Sequence, residues 1–363
     1  MSAAAPAGHL TFFYAADIAE SVMLSELPRV LGATTSAKPL ALRASASPYL
    51  QYQQPPVTFD GDAIGLTTGG DFRAVIKVFD YGVVSIALRR AFAGEWESLV
   101  RLTSEPAMLD TAVREAEWAV RACVDRIRAA LVRPHDGILS EDYLVVTLTN
   151  AGMNADELVR VRGVEIAQIV VGEAQLLSEQ ERDEILRHRM SFLAEDLVVP
   201  AWSAAFVVDR DDSAEATLEI LEFANSQLLE FRYYDARLDA DLTRIYSDLQ
   251  TGRPSPVALG GRYERAARQL HSLFIEVSEL TERTENALKV VGDAHAARLF
   301  ALVAGRMGLS GWKASVRDKL QMLDNIYRFT VEQSGLRRGE FLELAIVLIL
   351  ILELVLVFLG VLT

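Results

Sequence analysis

In the first half of the chain, apolar residues gather in short β-branched and aromatic runs. In the second half they recur at three- and four-residue steps over long stretches. Leu10 to Tyr14 predicts a first strand, and Asp17 or Ser21 then opens a helix to about Leu31 with Gly32 as its stop. Pro39, Pro48, Pro55 and Pro56 and the pairs Asp60-Gly61 and Gly69-Gly70 mark loops and turns, with a short strand at Pro39 to Arg43. Arg73 to Arg89 is the most strand-like segment. Its central Asp80-Tyr81-Gly82 allows a hairpin, but a continuous or bulged pair of short strands is the preferred reading. Glu95 to Leu131 reads as helix, broken near Pro106, with Leu109, Val113, Ala116, Val120 and Val124 on one face. Tyr143 to Thr149 is a strand, Glu165 to Met190 a helix, and Trp202 to Val208 a last strand. This order predicts an α+β head of ferredoxin-like type.

Beyond Ser213 the period changes. Ala214 to Gln250 contains no Gly or Pro and predicts one long helix opened by the acidic cluster Asp211-Asp212, which caps it. Leu218, Leu221, Asn225, Leu228 and Arg232 repeat at coiled-coil spacing, with two polar residues on the seam. The run from Thr251 to Pro256 breaks it. A second helix is expected from about Arg262 to Arg306 and a third from near Trp312, forming a bundle of three antiparallel helices. Phe341 to Leu362 is almost wholly apolar, and as a helix it spans roughly 33 Å, enough for a bilayer core. Arg337 and Arg338 precede it, and Glu343 and Glu353 are the ionisable groups within it. The expectation is a C-terminal transmembrane anchor, with the bulk of the protein on the cytoplasmic side and contact with the lipid bilayer. Glu353 would be protonated there or face a partner helix. The expected organisation is a disordered N-terminus at 1–9, an α+β head at 10–212, a helical coiled-coil stalk at 213–340 and the anchor at 341–363.

Composition narrows the function. Apolar residues make up 51% of the 363, which excludes wholesale disorder. Thirty-six Lys and Arg against 50 Asp and Glu give a net charge of −14, the reverse of the field a DNA binder carries. A ribosome or RNA tether would need a local basic face, for which Arg253, Arg262, Arg265 and Arg268 are candidates. The lone cysteine, Cys123, forms no internal disulfide and reads as a small buried hydrophobe. Met1 to His9 has no basic, apolar signal-peptide pattern, so the protein is expected to stay on the cytosolic side.

No phosphate-binding, dinucleotide, zinc-protease or serine-hydrolase motif occurs. The five histidines are scattered, without metal-ligand spacing. These readings predict no catalytic residue, no cofactor and no metal, and so a non-enzymatic protein. The alternative is an enzyme or small-ligand receptor using a cleft in the head.

Val78-Phe79-Asp80-Tyr81-Gly82-Val83-Val84 resembles the signature strand of the required-for-meiotic-nuclear-division family, a domain-of-unknown-function family. Glu340 to Glu353 resembles that family's closing apolar anchor. The resemblance implies a membrane-bound homo-oligomeric scaffold or tether linked to translation and ribosome positioning, with a protein or ribosome as partner. It singles out Phe79, Asp80, Tyr81 and Gly82 as interaction residues, and Gly82 as a position whose backbone geometry other residues resist.

Overall fold

The computed structural model describes residues 5–32, 43–44, 50, 54–66, 68–69, 71–149, 151–209, 211–250, 272–282, 294–326 and 328. The chain divides into two units, 1–234 with 280–313, and 235–279 with 314–363.

The first unit is built on an eight-stranded mixed sheet. Its strands are β1 (Ala7–Val22), β2 (Arg43–Ala44), β3 (Val57–Asp60), β4 (Arg73–Val78), β5 (Val83–Ala93), β6 (Leu131–Leu148), β7 (Leu197–Pro200) and β8 (Ala204–Val208). They lie in the order β2-β3-β4-β5-β1-β6-β8-β7. β1 is antiparallel to both β5 and β6, so those two run parallel across it. β6 and β8 pair directly in parallel. The class is α+β, but this order corrects the ferredoxin-like expectation.

The helices of the crossovers are α2 (Trp96–Ser104) and α3 (Pro106–Ile127), leading from β5 to β6, and α4 (Ala155–Val171) and α5 (Glu179–Arg187), leading from β6 to β7. With the short α1 (Leu27–Gly32), they cover one sheet face. That face supplies Phe12, Ala16, Ile76, Ile86, Leu88, Val146 and Phe206 to the main core. α3 starts on Pro106, whose missing N–H costs nothing at a first helical position. It turns Ala112, Ala116, Ala119 and Cys123 fully inward, so the expected stripe is rotated: Leu109, Val113 and Val124 are only partly buried. Cys123 is buried as expected, and desolvation pushes its thiol up to about 12. α4 is capped by Asn154, which accepts from Glu157 N at 2.8 Å, and it ends at Gly172 in the left-handed region.

β1 departs most from expectation. Residues from Asp17 onward continue the strand instead of opening a helix, because β5 and β6 pair with β1 on its two sides as far as a bulge between Asp17 and Ala19. β4 and β5 form a tight hairpin, not the continuous or bulged segment preferred from sequence.

Opposite the core lie α6 (Asp211–Gln250) and α8 (Ala294–Arg306), the former anticipated as one long helix. Phe223 of α6 meets Phe300 of α8 at a ring distance of 5.8 Å. Leu218, Leu221, Asn225 and Leu228, the expected coiled-coil seam, are buried in this layer.

The second unit contains residues 235–250 of α6, part of α7 (272–282) and part of α9 (309–326). Asp235 accepts from Ser315 Oγ at 2.6 Å and pairs with Lys319 at 2.8 Å. Asp239 pairs with Lys319 at 2.7 Å, and Tyr246 donates to Met322 Sδ at 3.4 Å. Partners advance together along both helices, so α6 and α9 run parallel here. Burial alone would lower the Lys319 pKa, but the two aspartates outweigh it and raise it.

The expected membrane anchor is corrected as well. Among the described residues, no helix is long and apolar enough to cross a membrane. The segment 341–363, with Glu343 and Glu353, and the flanking Arg337 and Arg338 lie outside the described residues, as do Arg253, Arg262, Arg265 and Arg268. The tail-anchored membrane localisation expected from the sequence therefore has no membrane-crossing helix behind it among the described residues.

Candidate functional site

The singled-out quartet forms the β4–β5 turn. Phe79 N donates to Val83 O at 2.9 Å, closing the hairpin, and Gly82 carries φ of +91°. A β-carbon there would land directly on the carbonyl oxygen of Ala19. The turn is stitched to the bulged end of β1: Ile18 N donates to Gly82 O at 3.0 Å and Val22 N to Asp80 O at 2.8 Å. Phe79 and Tyr81 stack with ring centroids 5.0 Å apart, and both are buried. The Tyr81 hydroxyl lies 2.7 Å from Ser226 Oγ on α6. Because Ser226 donates to Phe223 O at 2.8 Å, Tyr81 is the donor in that pair.

Tyr81–Ser226 is one rung of a polar ladder between the sheet and α6. Arg89 on β5 holds Glu215 bidentately, at 2.5 and 2.7 Å. Lys77 on β4 forms a buried ion pair with Glu222. On the other flank Asn225 donates to Glu141 O at 3.2 Å, and Arg232 pairs with the Glu141 carboxylate while lying over the Trp312 ring. The helix is thus fixed in register from both sides by directed contacts. Apolar packing alone, which is non-directional, would not do this. Thr11, Ser85 and Thr147 point hydroxyls into the same layer, and Asn225 an amide oxygen. Among the described residues these atoms have no hydrogen-bond partner, which leaves the layer polar as well as apolar.

Where β1 bulges, Asp17 Oδ1 lies 3.1 Å from His135 Nε2. Asp17 is almost wholly buried, and its Oδ2 has no partner among the described residues. Burial raises its carboxyl above the ordinary range, and the hydrogen bond and charge of His135 pull it partly back. The His135 ring stacks on Tyr233 of α6 at 4.8 Å. A buried carboxylate holding an imidazole in this way can store and exchange a proton and can orient the ring. Among the described residues no group of three or more His, Cys, Asp or Glu could hold a metal ion.

The structure therefore gathers Phe79, Tyr81 and Gly82 with residues that the sequence did not single out: Asp17, Lys77, His135 and Glu222. One signal for Lys77 was legible. It interrupts an otherwise apolar strand between Ile76 and Val78, where a charge needs a partner.

The turn, the ladder's sheet side and the Asp17–His135 pair fall within residues 7–215, the span matched by the family model for the N-terminal domain of uncharacterized protein MJ0711. The chain belongs to this family. It is 21% identical to uncharacterized protein MJ0711 of Methanocaldococcus jannaschii over 201 residues, which is 55% of this chain and 61% of that relative. No solved structure matches the chain. Membership of the MJ0711 N-terminal-domain family replaces the resemblance to the meiotic-nuclear-division family, on which the expected link to ribosome positioning rested. The Phe79-Asp80-Tyr81-Gly82 run that suggested the other family has a local geometric basis, a hairpin passing over a bulge.

Proposed function

We propose that the protein is a non-enzymatic scaffold that assembles into a homo-oligomer through its second unit. The observation supporting this is a set of large apolar side chains turned outward on that unit's helices. Tyr246, Phe274, Ile275 and Met322 are each between 44% and 56% exposed. Their helices already have filled inward faces, with Leu238, Leu242, Leu273, Val277, Val316, Leu320 and Leu323 buried. Large apolar and aromatic groups left outside a satisfied core favour an interface, and Tyr and Met are residue types enriched in such patches. A second copy of the chain is the proposed occupant. The polar ladder supports the reading further, because it ties charged groups of the sheet to α6 and so stiffens the head.

The test is the paired substitution Phe274→Glu with Met322→Glu, followed by size-exclusion chromatography and circular dichroism. Two exposed carboxylates leave the fold intact and disfavour burial at an interface. Loss of the assembled peak with unchanged helix content is expected. An unchanged elution profile would refute this surface as the contact.

A further inference from the structure

A cleft of about 520 Å³ opens between α4 and α5. We propose that it binds a small organic anion, an apolar body carrying one phosphate or carboxylate group.

The charge pattern is the first argument. In a chain of net charge −14, this cleft is lined by four guanidinium groups, Arg160, Arg182, Arg187 and Arg189, against a single carboxylate, Asp183. Guanidiniums present forked donors that match the oxygens of a carboxylate or phosphate. The present partners of these arginines are surface carboxylates: Glu157 with Arg160 at 4.0 Å, Asp156 with Arg189 at 3.8 Å, Glu179 and Asp183 with Arg182 at 3.6 and 3.1 Å, and Glu184 with Arg187 at 2.8 Å. Solvent-exposed pairs of this kind are weak and exchange readily for a better-fitting anion. The Arg160 and Arg187 side chains are 76% and 70% exposed. Arg182 and Arg189 are more enclosed, and Arg189 Nη1 donates to Leu186 O at 2.8 Å, which gives the cleft a fixed cationic side.

The second argument is the shape. The remaining wall is apolar, made by Val159, Val161, Val164 and Leu186. α4 departs from helical geometry at Arg162, with φ −122° and ψ 15°. At the next residue, Gly163, a β-carbon would lie 2.8 Å from Leu186 Cδ1, so the two helices touch there and diverge around the contact. The recess is built into the backbone, and its volume suits a small ligand. Val161 stays 49% exposed beside the cationic rim, positioned to cover an apolar ligand body.

The experiment is isothermal titration of the full chain with octyl phosphate, octanoate and inorganic phosphate, repeated on Arg160→Gln/Arg187→Gln and on Val161→Glu. Saturable one-site binding of octyl phosphate or octanoate is expected, and the tighter of the two identifies the head group. Affinity should fall by about tenfold or more in each variant, and with added salt. Because all three altered positions are exposed, lost binding with an unchanged circular dichroism spectrum reports the cleft and not unfolding. No saturable binding of any of the three compounds, or equal affinity in the wild type and both variants, overturns the proposal. Inorganic phosphate binding as tightly as octyl phosphate overturns its apolar half.

Discussion

Gly82 and Asp17 show how single residues fix this head. At Gly82 a side chain meets two penalties, a left-handed backbone and the Ala19 carbonyl in the space of the β-carbon. Gly82→Val should therefore lower unfolding free energy by about 3 kcal/mol or more, read from the denaturant midpoint. A loss below about 1 kcal/mol would mean that the turn is not tied to β1 as described. Asp17 acts through protonation. Its folded pKa is raised above 3.8, mainly by burial, so between 3.8 and the raised value the folded state holds more proton than the unfolded one. Over that window stability falls as pH rises, the opposite of the usual salt-bridged aspartate. Asp17→Asn should remove this fall, so that the variant gains on the wild type as pH increases through the window. Parallel stability curves for the two proteins would contradict the assignment. The pair was invisible from sequence because Asp17 and His135 meet only through the bulged β1–β6 ladder.

Among the elements, α6 was the most legible, since Ala214 to Gln250 has no helix breaker and a regular apolar step. The partner of its seam was not legible. A stripe that packs on a sheet has the same periodicity as one that packs on a helix. β1 was misread for a related reason. Both of its faces are covered, so residues 10–19 are all buried and the alternation that marks a strand disappears. Asn225 and Arg232, flagged as polar residues on an apolar seam, were the correct clue that something polar faces this helix. The ladder can be tested at its most buried rung. Lys77→Met alone leaves Glu222 as an unpaired buried charge and should cost about 3–5 kcal/mol. Lys77→Met with Glu222→Met should recover most of that loss, and the coupling is measured by a double-mutant cycle of chemical denaturations. Additive losses would show that the two side chains do not depend on each other.

For the whole molecule, an α+β head with helices on both sheet faces leads into a separate helical unit whose outer surface is partly apolar. The head belongs to the MJ0711 N-terminal-domain family, and the matched span closes at residue 215, just inside α6. The sequence indicated the change of character after residue 213, because the hydrophobic period switches there. It did not indicate the sheet order, which depends on pairings between strands far apart in the chain. The central claim is that the protein assembles with itself. Absolute mass by light scattering, followed over about a hundredfold dilution of the full chain, tests it most directly. The account predicts one discrete oligomer that gives way to the 40.0 kDa chain only at the lowest concentrations. A mass of 40.0 kDa at every concentration would contradict it.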